Sequence, residues 1–78
     1  MVRSALTLRE AEALVVVLEQ AEARGESDSL ADRMPELEEA IAFLMDLNRR
    51  LAGQDPANAL VASLQYRARL LRKRHHRG

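Results

Sequence analysis

The sequence predicts an all-α chain, a small three-helix bundle running up, down and up. Three observations carry that expectation. Gly and Pro are sparse, three and two in 78 residues. Ala, Leu, Glu and Arg dominate, and all are good helix formers. Apolar residues recur at spacings of three and four in three successive stretches, the period of a helix with one buried face. A chain of this length forms one modest domain, 1–78, because small chains bury a smaller fraction of their surface.

The first helix is expected over 7–24. Thr7 and Glu10 stand at capping-box spacing, so the hydroxyl can accept the Glu10 amide while the carboxylate reaches back. Gly25 is a natural left-handed stop. The following Glu26-Ser27-Asp28-Ser29 is polar and turn-prone. Leu8, Ala11, Leu14, Val15, Leu18 and Ala21 share one face at about 100° per residue. Val16 and Val17 fall on its flanks, where they can meet a second helix of the bundle or a second subunit.

The second helix is expected over 35–52, with Gly53 ending it. Pro35 has no amide to donate and is tolerated in a first turn. Two starts satisfy it: an extra turn over 29–34 followed by a helix from Pro35, or one helix begun near Arg33. Met34, Leu37, Ile41, Leu44, Asn48 and Leu51 are spaced 3, 4, 3, 4 and 3, which are heptad positions a and d. Ile at a, Leu at d and one Asn at a favour paired coiled-coil helices. A buried Asn needs a polar partner, so wrong registers cost energy. Asn48 is therefore a candidate register residue across a homodimer; a loop carbonyl or water near the helix end would satisfy it equally. Phe43 and Met45 widen the stripe. Pairing two copies would bury Val16, Val17, Phe43 and Met45 together with the Ile41–Leu44–Asn48 seam, and a homodimer is the expected state.

The third helix is expected over 56–74, with Asp55 as N-cap and Pro56 as its first residue. Ala57, Leu60, Val61, Leu64, Ala68 and Leu71 form its apolar face. Residues 75–78 are expected to fray.

The net charge of zero hides a split. Residues 1–66 hold six Arg against all twelve acids, a net of −6, and residues 67–78 hold six cations and no acid, +6. Arg67, Arg69, Arg72, Lys73, Arg74 and Arg77 are the candidate anion or nucleic-acid contacts, since guanidinium forks suit phosphates. Three other roles compete. The cations can complement the dipole of the third helix, bind acidic helices of a second copy or partner, or bind anionic lipid.

Little points to chemistry. Without cysteine there is no disulfide framework, zinc-thiolate site or thiol nucleophile. His75 and His76 are adjacent, so they are not an i, i+4 metal pair. No acid has a His three residues later, as di-metal bundles require. Phosphate-loop, dinucleotide and zinc-protease motifs are missing. No catalytic, cofactor or metal residue is expected. Apolar runs such as Leu14 to Leu18 are far too short for a membrane span, and the first residues lack the pattern of a secretory signal; a soluble cytoplasmic chain is expected. The expected function is a non-catalytic helical protein–protein interaction module. The alternative is a small nucleic-acid-binding protein using the Arg-rich third helix.

Overall fold

Residues 6–75 are described by a computed structural model. They form four helices rather than three, and no strand occurs among them. The first, α1, spans Leu8–Ala23. Thr7 caps it as its sequence requires: Thr7 Oγ1 accepts the Glu10 amide at 3.1 Å, and the Thr7 amide donates to Glu10 Oε1 at 2.9 Å. Gly25 ends it at φ +77°. The Glu26 amide donates to the Ala21 carbonyl at 2.9 Å and the Gly25 amide to Glu22 at 3.0 Å. This paired arrangement satisfies carbonyls that the helix end leaves open.

The second element, α2, is a separate short helix, Ser27–Asp32. The expected extra turn at 29–34 thus starts two residues early and ends two residues early. Its first turn grows directly from the α1 stop, because the Glu26 carbonyl accepts the Leu30 amide at 3.3 Å. Leu30 is fully buried and anchors α2 to the core.

The main helix, α3, spans Met34–Arg50 with Pro35 in its first turn. The Arg33 carbonyl accepts the Leu37 amide at 3.0 Å, and first-turn amides have no intrahelical partner, so Pro35 forfeits nothing. Each sequence reading of Pro35 was half correct: the preceding helix exists, and α3 begins before the proline. The chain then turns through 51–53, with Gly53 at φ +83°, two residues short of the expected helix end at 52.

The last helix, α4, spans Ala57–His75. Pro56 is not its first residue. Its carbonyl accepts the Leu60 amide at 3.1 Å, so Pro56 holds the cap position expected of Asp55. His75 is helical and half-buried instead of frayed; residues 76–78, including Arg77, lie outside the described residues.

The core runs through all four helices. Ala11, Val15, Leu18 and Ala21 meet Leu30, then Leu37, Ala40, Ile41 and Leu44, then Val61, Leu64, Ala68 and Leu71. The 3-4 spacing read from each stretch is the spacing of these buried residues. Leu60 and Ala57 depart from the expectation: both are exposed, Leu60 at 47%. The α3–α4 pair forms the most extensive helix contact. It is antiparallel, since Asn58 meets Asn48 at the loop end and Arg72 meets Glu38 at the other.

Candidate interaction surfaces

Three of the five described C-terminal cations meet carboxylates of α1 and α3. Arg67 grips both carboxylate oxygens of Glu19 of α1 along one guanidinium edge, Nε donating to Oε2 at 2.9 Å and Nη2 to Oε1. One helical turn further along α1, Arg74 does the same to Glu22, at 2.6 and 2.8 Å. His75 Nε2 lies 2.8 Å from the same Glu22 carboxylate. On the α3 side, Arg72 donates to Glu38 at 3.1 Å. Bidentate guanidinium–carboxylate pairs fix geometry as well as adding energy. The hydrogen bond from Arg67 holds the Glu19 carboxyl below its ordinary range against the opposing effect of burial. The bond from Arg74, helped by His75, does so for Glu22. The same pairs raise the affinity of Arg67 and Arg74 for their protons, first through the hydrogen bonds to Glu19 and Glu22.

The sequence separates these partners by about fifty residues, so its charge blocks were legible but their pairing was not. A signal existed. Glu19 and Glu22 sit three apart on one flank of α1, and Arg67 and Arg74 sit seven apart on one flank of α4, so each pair lines one edge.

Asn48 is half-buried and has a partner in its own chain: Asn58 Nδ2 donates to Asn48 Oδ1 at 2.6 Å and to its carbonyl at 3.3 Å. The polar match expected across a homodimer is supplied by α4. Sequence reading missed Asn58, the second residue of α4, which lies off the apolar pattern. Two other candidate interface residues are corrected in the same way. Ile41 and Leu44 are 3% and 0% exposed, because α4 and α1 cover the heptad seam within one chain. Val17 and Met45 do reach the surface, at 42% and 47% exposed. Val16 and Phe43 are half-buried.

Val17 belongs to a groove of about 480 Å³ between α1 and the start of α3. Leu6, Ala13, Leu14 and Val17 supply its apolar side. Glu10, Glu36, Glu39 and Arg33 rim it, a net charge of −2, and Arg33 is already held by Glu36 at 2.8 Å. A second surface is the outer face of α4. Tyr66 is 65% exposed there, beside exposed Arg69 and Lys73 and half-buried Leu70. Neither Arg69 nor Lys73 has a carboxylate partner among the described residues.

Among the described residues, no three His, Asp or Glu side chains gather where they could hold a metal ion. No helix among them is long and apolar enough to cross a membrane. No protein-family model, curated protein or solved structure matches the chain.

Proposed function

We propose that the chain is a non-catalytic helical protein–protein interaction module, a small self-associating adaptor, regulator or assembly subunit that works in the cytoplasm. One observation carries this reading: the acid-rimmed apolar groove between α1 and α3, with Val17 standing in it half-exposed. Apolar surface framed by polar side chains marks binding sites on small proteins. The nucleic-acid alternative is weakened by Arg67, Arg72 and Arg74, whose guanidinium groups already face carboxylates. A cation committed to an internal carboxylate releases fewer counterions on meeting phosphate.

The test is a photo-crosslinking side chain at Ala13, an exposed groove position, in the full chain inside cells that produce it. The expected result is a discrete protein adduct, lost when Val17→Lys fills the groove with charge. Absence of any protein adduct, or an adduct with nucleic acid alone, would overturn the reading.

A further inference from the structure

We infer that the groove of one copy takes the outer face of α4 of a second copy, so that the chain assembles head to tail. The inference rests on the function proposed above and names its partner. Both surfaces are visible on one chain. The groove has an apolar floor and a net charge of −2. The α4 face offers Tyr66, Arg69, Leu70 and Lys73, at i, i+3, i+4 and i+7, with a net charge of +2. That spacing is how an amphipathic helix enters an apolar groove. Tyr66 and Leu70 supply the apolar anchors, and Arg69 and Lys73 flank them as the glutamates flank the floor.

The internal ion pairs sharpen the match. Arg67, Arg72 and Arg74 bind Glu19, Glu38 and Glu22, leaving Arg69 and Lys73 as the outward cations among the described residues of α4. Exposed Glu39 is left at the groove rim with no cation partner among the described residues.

Geometry sets the mode of assembly. The α4 helix turns Val61, Leu64, Ala68 and Leu71 to the core, so Tyr66 and Lys73 point away from α1 and α3, which carry the groove. Donor and acceptor surfaces share no residue and face different ways. Such a contact is heterologous: it adds copies in series or closes them into a ring.

The test is complementation between two full-length variants with intact cores. Val17→Lys places a cation in the groove and leaves α4 untouched. Tyr66→Ala/Arg69→Ala/Lys73→Ala strips the α4 face and leaves the groove untouched. Light scattering should give each variant alone a mass near 8.8 kDa at concentrations where the unmodified chain is heavier. Their equimolar mixture should double that mass and stop there, because one intact groove and one intact α4 face remain. Circular dichroism confirms that both variants fold. A mixture that stays at the single-chain mass while the unmodified chain assembles overturns the head-to-tail mode. An unmodified chain that stays single at every concentration also overturns it. If Ala13 then crosslinks to a different protein in cells, the interaction-module part of the proposed function stands and its self-association falls; a basic amphipathic helix of that protein would be the occupant.

Discussion

Leu44 and Met45 are adjacent in sequence and opposite in fate. Leu44 is wholly buried, whereas Met45 is 47% exposed. One step along a helix rotates a side chain by about 100°, enough to leave a narrow core stripe. Leu44→Ala should therefore cost about 2–5 kcal/mol through lost burial and the cavity left behind. A chain of this size has only about 4–12 kcal/mol in all. Met45→Ala should change stability by no more than about 0.5 kcal/mol. Urea unfolding of the two variants checks the contrast, and equal losses would contradict the placement of α3. Residue-scale features set by neighbouring sequence were the legible ones. Thr7, Glu10 and Gly25 act on amides and carbonyls a few residues away, and each behaves as its chemistry predicts. Asn48 was legible only in part: its need for a polar partner could be read, but Asn58 lies across a turn whose path the sequence leaves open.

At the scale of elements, α4 is fastened to α1 and α3 by side chains from its two flanks. Its apolar face was legible from periodicity. Its cations were read as candidate phosphate contacts, because the acids that Arg67, Arg72 and Arg74 meet lie on other helices whose placement the sequence does not give. The ion pairs make a pH prediction. Glu19 and Glu22 hold folded-state values below the ordinary glutamate value of 4.5, chiefly through hydrogen bonds from Arg67 and Arg74. A carboxyl whose value is lowered by folding stabilises fully above its unfolded value and loses that contribution as pH falls through the folded one. The melting temperature should hold from neutral pH to about 4.5 and fall below it, and Glu19→Gln/Glu22→Gln should flatten the fall. An acid limb as steep in the double variant as in the parent would show that these pairs add nothing. The outward cations allow a second measurement. With Arg69 and Lys73 as the free pair of α4 among the described residues, a short labelled DNA duplex should bind no tighter than about 10⁻⁵ M, with a log–log salt slope near −2. Submicromolar binding with a slope near −5 would mean that the internal pairs open for phosphate.

The whole molecule has two faces of opposite character on one small core. The groove carries apolar side chains among glutamates, and α4 carries an exposed tyrosine among cations. The α4 face follows from helical spacing in the sequence, whereas the groove does not. The groove joins Leu6–Val17 to Arg33–Glu39, segments brought together by the crossing of α1 over the start of α3 and by the small wedge of α2. The sequence left α2 as a single turn, so the crossing could not be drawn. Heptad spacing instead pointed to Ile41, Leu44 and Asn48 as an intermolecular seam, and the chain closes that seam on itself. An intramolecular bundle and a coiled-coil dimer use the same spacing, which is why periodicity alone could not choose between them. Self-association should then depend on Val17 and on the charges around it. The most direct test is the solution mass of the unmodified full chain by light scattering, across concentration, at low and high sodium chloride. The prediction is a mass that climbs above 8.8 kDa with concentration at low salt and returns toward it at high salt, because screening weakens the Arg69 and Lys73 contacts. A mass fixed at one chain under all conditions, or at two chains regardless of salt, would contradict it.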